Sequence, residues 1–186
     1  MLVLASGSPQ RRTILARLGV AFDVRPADVE ELAAGEPHAV ARENALLKAR
    51  TVAAALAPPE TDALVLGVDT LVALDGVIYG KPTDEEHARA TLRALSGATH
   101  DVVSGLALVQ GDVVEAATAV TRVTFRRLDP ATIDWYLALG EWRGRAGGYA
   151  IQEAGGALVR SIEGDYQNVV GLPVSLLLDR RPGLLH

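Results

Sequence analysis

The chain contains no cysteine, which removes disulfides, thiolate metal sites and cysteine nucleophiles together. Its four histidines, His38, His87, His100 and His186, lack the close spacing of a zinc site. Any metal is therefore expected to be a hard, oxygen-ligated ion such as Mg²⁺. Apolar runs such as "ALVLGV" fall far short of the roughly 20 residues a membrane span needs, so no membrane association is expected. "MLVLASGSPQRR" has no basic leader before its apolar residues and meets a helix start too early for a secretory signal, which predicts a cytoplasmic protein. An excess of positive charge is missing as well. The net charge of -5 argues against a nucleic-acid partner, although it leaves room for a small basic pocket. Repeats, low-complexity tracts and clear linkers are absent, and 186 residues suit a single domain over 1–186.

What is present reads as alternating strands and helices. "MLVLAS" is a short buried strand, followed by the compact helix "SPQRRTILARLG" with Ser8 as N-cap, Pro9 at its first position and Gly19 past its end. "AFDVRPADVEE" gives a short strand and a polar loop. The alanine-rich stretch from Pro37 to about Leu56 predicts a long helix with Val40, Leu47 and Ala54 in one stripe. "LVLGVDTLVAL" is too uniformly apolar for a strand with one wet face and reads as central in a sheet. Asp75-Gly76 marks a hairpin turn. Thr83 and Glu86 form a capping box for a helix whose Ala88, Leu92 and Leu95 face inward. Two long strands flank "QGD", a helix spans about Pro130 to Leu139, and a glycine-punctuated strand, loop and terminal helix close the chain. The order predicts a mixed α/β sheet flanked by helices.

The first helix poses an electrostatic problem, because Arg11 and Arg12 occupy a first turn where the macrodipole favours acidic residues. Arg11, Ile14, Leu15 and Leu18 share the i, i+3, i+4, i+7 pattern. Arg11 is therefore expected to point into a crevice at the sheet edge, with Arg12 freer to face solvent. An inward guanidinium beside free turn amides makes an anion site; two solvated arginines are the plainer alternative. Asp69, set in an apolar strand with Thr70 beside it, needs strong partners and reads as a site residue, unless it only bonds backbone at a strand end. Lys81 in "YGKP" precedes a helix N-terminus, a phosphate-friendly setting that is also a common surface turn. Lys48, about 100° from the centre of its helix's apolar stripe, would by default snorkel to solvent. Glu31 in "DVEE" has the same default, and Gln152 sits in a glycine-framed strand where its carboxamide could pair with a base edge.

"LASGSPQRR", "GVDTLV", "GKPTDEEHA", "LRALSGATHDVVSGLAL", "AGGYAIQ" and "IEGDYQNVVGLP" together resemble, in order and spacing, the Maf family of nucleoside triphosphate pyrophosphatases. The resemblance runs from Leu2 to about Leu178. It implies an elongated α/β fold with two lobes and a central cleft, related to the inosine triphosphate pyrophosphatases. It also implies a homodimer that uses Mg²⁺ or Mn²⁺ to cleave a nucleoside triphosphate to the monophosphate and pyrophosphate. By the same resemblance Asp69 is the catalytic proton acceptor. Ser6, Arg11, Glu31, Lys48 and Lys81 match the substrate cleft, with Glu31 and Asp69 as metal candidates. The positions that separate the subfamilies are Gln10, Thr70 and Gln152 here. Thr70 and Gln152 match the branch acting on dTTP and UTP, whereas the 7-methyl-GTP branch usually carries Gln after the Asp and lacks the later Gln. Gln10 departs from both, which commonly carry Arg or Trp. The rival readings are a nucleotide-binding regulator of cell division without turnover, and a pyrophosphatase for another base such as 7-methyl-GTP or ITP.

Overall fold

The computed structural model describes residues 1–185; His186 lies outside them. Strand β1 (Leu2–Leu4) passes through a short turn into helix α1 (Pro9–Arg17). Ser8 is the N-cap residue, but its hydroxyl donates to Gln10 Oε1 (3.0 Å) and caps no backbone amide. Strand β2 (Phe22–Val24), helix α2 (Pro37–Ala54), strand β3 (Leu64–Leu74) and strand β4 (Val77–Tyr79) follow. Next come helix α3 (Glu85–Leu95), strands β5 (Thr99–Gln110) and β6 (Val113–Phe125) and helix α4 (Pro130–Leu139). Strand β7 (Val159–Glu163) and the short helices α5 (Tyr166–Val170) and α6 (Val174–Arg180) complete the order. Among the described residues no helix is long and apolar enough to cross a membrane.

Three local expectations are corrected. α2 ends at Ala54, not near Leu56. The cap of α3 is Asp84, whose carboxylate accepts from the His87 amide (2.8 Å), in place of a Thr83–Glu86 box. An ionised acceptor one residue further on takes the bond that the weaker hydroxyl would have made. Gln152 lies in a turn and not in a strand, because Gly147 and Gly148, both at φ +67°, bend the chain ahead of it.

The strands form one mixed sheet in the order β2-β1-β3-β5-β6-β7, with β4 paired to β3. β1 runs parallel to β2 and β3, and the other pairings are antiparallel. One edge of β3 is only partly covered. β1 pairs with Leu64–Leu66, the pairing with β4 begins at Val72, and no described strand takes the interval 67–71 on that side. At this gap side chains from both faces of β3 reach a common crevice.

Two apolar cores flank the gap, and the long strands thread both. Leu66 and Val68 of β3 and Leu106 and Leu108 of β5 pack with Leu4, Ile14, Leu15 and Leu177. Val72 and Val102 pack with Ala88, Leu92, Phe125, Ile133 and Tyr136 in the second core. On the opposite face of the sheet α2 lies against β3 and β5 through Ala41, Ala45 and Ala49. A Cβ on Gly105 would overlap the Ala41 carbonyl, and one on Gly67 the Ala45 carbonyl. Only glycine at these two positions lets the helix backbone come so close. The buried stripe of α2 is therefore Val40, Ala41, Asn44, Ala45, Lys48, Ala49 and Val52. The expected stripe is wrong in part: Leu47 is 40% exposed and Ala54 is exposed, since a bulky side chain cannot enter so narrow a gap. Replacing Gly105 by alanine is expected to destabilise the fold by about 1–3 kcal/mol through overpacking. It should also lower activity by pushing α2 outward, as read by urea unfolding and turnover on one preparation.

The second core holds a buried histidine. His100 Nε2 lies 2.9 Å from the Tyr149 hydroxyl, and its ring packs edge-on against Phe125 and Tyr149. Nearby, the Tyr136 hydroxyl accepts the Ala150 amide (3.0 Å), so this cluster fixes the segment that leads to Gln152. Burial pushes the His100 pKa down to about 4. The native state then binds fewer protons than the unfolded chain between pH about 4 and about 6.5, and stability present above 6.5 is lost as pH falls through that window. The loss is on the order of 3 kcal/mol. H100Q keeps a hydrogen-bonding group without the titration, so the difference between wild type and H100Q in urea midpoint should grow more favourable to wild type from pH 4.5 to 7.5.

Candidate active site

The gap on β3 opens into a cleft of about 540 Å³ lined by the β1–α1 turn, the loop before α2, α2 itself, β3, the Lys81 loop, residues 144–152 and the end of α5. Its floor is built on α2 and β3. Asp69 and Lys48 are both buried, and Lys48 Nζ lies 2.7 Å from Asp69 Oδ1. The same Nζ lies 2.8 Å from Glu31 Oε1, so the lysine joins a strand carboxylate to a loop carboxylate. Lys48 does not snorkel, because alanine packing brings its side of α2 against the sheet and two anions are there to receive its charge. Glu31, expected as a solvated loop residue, is half exposed but held in this ion pair.

Asn44, one turn before Lys48 on the same face, completes the arrangement. Its Nδ2 donates to Asp69 Oδ2 (3.0 Å) and to the Leu32 carbonyl (3.0 Å), while its Oδ1 accepts from the Leu32 amide (2.8 Å). The carboxamide thus pins the Glu31 loop to the floor and uses all three of these bonds at 2% exposure. Burial raises the pKa of Asp69. The charge and hydrogen bond of Lys48, the bond from Asn44 and the charge of Arg11 outweigh it, leaving Asp69 below the ordinary carboxylate value and ionised near neutral pH.

Arg11 forms the opposite wall. It points inward as its helical position predicts, with 8% exposure, whereas Arg12 is exposed. Its Nε donates to the Gly171 carbonyl (2.8 Å), one terminal nitrogen to Ser6 Oγ (2.8 Å) and the other to Thr70 Oγ1 (3.2 Å). Desolvation lowers its pKa, partly offset by Asp69 and Glu31, yet a guanidinium remains charged. Ser6 also accepts from the Ser8 amide (3.3 Å), which ties the turn to Arg11. Two of the guanidinium's five N–H groups have no described protein partner.

The remaining expected residues lie around the opening. Lys81 is exposed and has no ion-pair partner among the described residues, and Gln10 and Gln152 are partly exposed on the lining. Gly147 N–H donates to the Gly80 carbonyl (3.2 Å), which joins the Lys81 loop to the segment that carries Gln152. Every residue picked out in the sequence, Ser6, Gln10, Arg11, Glu31, Lys48, Asp69, Thr70, Lys81 and Gln152, is on the cleft wall. Sequence reasoning missed Asn44, Ser104 and the Gly171 carbonyl. Asn44 did carry a signal, a second polar residue at i−4 from Lys48 on an alanine face.

The family model for Maf-like proteins matches residues 1–180. A dTTP/UTP pyrophosphatase from Moorella thermoacetica is 49% identical over 93% of this chain and 89% of its own length. One from Pyrococcus furiosus is 44% identical over 95% of this chain and 92% of its own. Among solved structures, a nucleoside-triphosphatase / dITP/XTP pyrophosphatase from Mycobacterium abscessus aligns with 68% of this chain and 75% of its own, at 20% identity and a TM-score of 0.47. Matched along nearly its whole length by the family model and by relatives at these identities, the chain belongs to the Maf family.

Proposed function

We propose that the cleft hydrolyses dTTP and UTP to the nucleoside monophosphate and pyrophosphate. The observation that carries the reading is Asp69, an ionised carboxylate on a rigid strand, held from two sides by Lys48 and Asn44 and faced by Arg11. The curated names of the relatives support the substrate class. A family model running over 1–180 supports a single Maf-like domain, and the family resemblance adds a homodimer to the proposal.

In this reading water attacks the α-phosphorus, the bond from that phosphorus to the bridging oxygen breaks, and pyrophosphate leaves. The water proton passes to Asp69, whose two oxygens accept one protein hydrogen bond each and keep roughly two lone-pair sites free for the water. The two uncommitted N–H groups of Arg11, with Lys81, balance charge that builds on the phosphate oxygens. Lys48 keeps Asp69 and Glu31 together on the floor.

Glu31 and Asp69 are the carboxylates that would hold a divalent cation; both are paired to Lys48 Nζ, and among the described residues no three His, Cys, Asp or Glu side chains converge on a metal position. Two carboxylates suit an Mg²⁺ or Mn²⁺ ion completed by water and substrate oxygens. When bound, it would neutralise charge on the phosphates. Gln10 and Gln152 are proposed as the positions whose side chains meet the base, and Thr70, the third position that separates the subfamilies, stands beside Arg11. Gln152 presents an amide to the cleft, and Gln10 keeps its NH₂ free while its Oε1 accepts from Ser8.

D69N is expected to lower kcat by about 10²- to 10⁴-fold while the Kd for a non-hydrolysable triphosphate analogue changes little; an active D69N removes Asp69 from the chemistry. With Mg²⁺ or Mn²⁺, the wild type should release pyrophosphate from dTTP and UTP in preference to CTP, ITP and 7-methyl-GTP. Chelation should stop the release. Binding without turnover of any triphosphate would instead identify a regulator, and release of orthophosphate would exclude α–β cleavage.

A further inference from the structure

We propose that Thr70, with Ser104 behind it, acts on the substrate through Arg11 as a positioning residue, and that its hydroxyl does not read the base. This rests on the pyrophosphatase reading above and narrows the part played by one of the three positions that separate the subfamilies. The argument begins with the sheet. Thr70 on β3 stands directly across from Ser104 on β5, on the face opposite the one that carries Asp69 and meets α2. The two hydroxyl oxygens are 2.8 Å apart. Ser104 is fully buried and cannot reach a ligand.

The hydrogen-bond capacity of Thr70 is then nearly spent. A hydroxyl has one donor and two acceptor sites. Thr70 Oγ1 accepts from Arg11 (3.2 Å) and can donate to the Gly171 carbonyl (3.3 Å). Ser104 Oγ, 2.8 Å away, is a third partner, so little of this capacity is left for a base edge. The Gly171 carbonyl also receives Arg11 Nε (2.8 Å), which closes a ring of contacts among Arg11, Thr70 and Gly171. Ser6 holds the other terminal nitrogen of the guanidinium (2.8 Å). Three fixed points define a plane, so Ser6, Thr70 and Gly171 set the direction in which the two remaining N–H groups face the cleft.

α5, which leads into Gly171, is itself fastened to the sheet. Asn168 Nδ2 donates to the Val102 carbonyl (3.0 Å) and to Thr121 Oγ1 (3.1 Å), and Thr121 donates to the Asp165 carbonyl (2.9 Å). The ring that aims Arg11 is thus anchored at both ends to β5 and β6. Loss of the Ser104 hydroxyl removes the shortest of Thr70's three contacts and loosens its hold on Arg11, so it disturbs the phosphate contact. The groups around the base, Gln10 and Gln152, keep their places.

The test measures kcat/KM for dTTP, UTP, CTP and ITP with wild type, S104A, T70V, T70S, R11A and the double variant R11A with S104A. S104A and T70V should each lose about 5- to 20-fold on dTTP and UTP alike. The ratios of dTTP to CTP and to ITP should stay within about twofold of wild type. T70S, which keeps the hydroxyl, should restore most of the T70V loss, and S104A should cost nothing further in the R11A background. Thermal melts accompany every variant. Should S104A unfold, S104C replaces it, with a thiol that donates only weakly.

Three results overturn the proposal with the pyrophosphatase reading left standing. They are a shift in base ratio of about fivefold or more in T70V or S104A, wild-type kinetics in S104A, and full additivity with R11A. A wild type that releases pyrophosphate from none of the four triphosphates overturns the underlying reading, and this proposal with it.

Discussion

The site depends on how closely one helix approaches the sheet. Gly67 and Gly105 on adjacent strands remove two side chains, and Ala41, Ala45 and Ala49 present the thinnest possible face in return. The α2 backbone then lies almost on the strands, and its polar residues at 44 and 48 arrive at hydrogen-bond distance from Asp69. With larger residues at these contacts, Lys48 could extend to solvent and Asp69 would be left buried with too few partners. Packing thus creates the electrostatics, and the charged residues do not hold the helix down by themselves.

Once assembled, the floor is a three-way balance of charge. Asp69 pays desolvation and is compensated by Lys48, Asn44 and Arg11. Lys48 divides its attraction between Asp69 and Glu31. In buried pairs of this kind, removing one partner generally costs about 3–5 kcal/mol because the other is stranded. The arrangement therefore tolerates little simplification, yet it leaves acceptor sites on Asp69 and two donors on Arg11 unspent. Both residues line the same cleft, beside opposite faces of β3, where the strand's edge is uncovered between β1 and β4.

Much of this was legible in the sequence, for identifiable reasons. Short-range signals did well: a Ser-Pro helix start, the Asp-Gly hairpin, and an apolar run marking β3 as central. The inward direction of Arg11 followed from helical spacing alone, and the family resemblance supplied Ser6 together with Glu31 and Lys48, the last two with local patterns that favour solvent. Failures arose where long-range packing decided the outcome. Leu47 draws the expected stripe of α2 to the wrong side because the inner face of this helix is marked by smallness and not by hydrophobicity. Gln152 read as strand because the two left-handed glycines ahead of it act on the path of the chain and leave no periodicity. Ser104 and the Gly171 carbonyl were invisible, since a cross-strand register and a backbone acceptor have no sequence signature.

The uncovered interval of β3 has a further consequence. Asp69 and Thr70 belong to a strand paired on its other edge to β5 along nine consecutive positions, so their backbone sits in the slowest-opening part of such a fold. Gln10 stands in the first turn of a short helix, and Gln152 in a glycine-led turn. The groups proposed for bond cleavage and those proposed to meet the base thus rest on supports of different kinds, a paired strand and two turns. On the proposed reading, base preference can change through substitutions in these turns without disturbing the paired strand that carries Asp69.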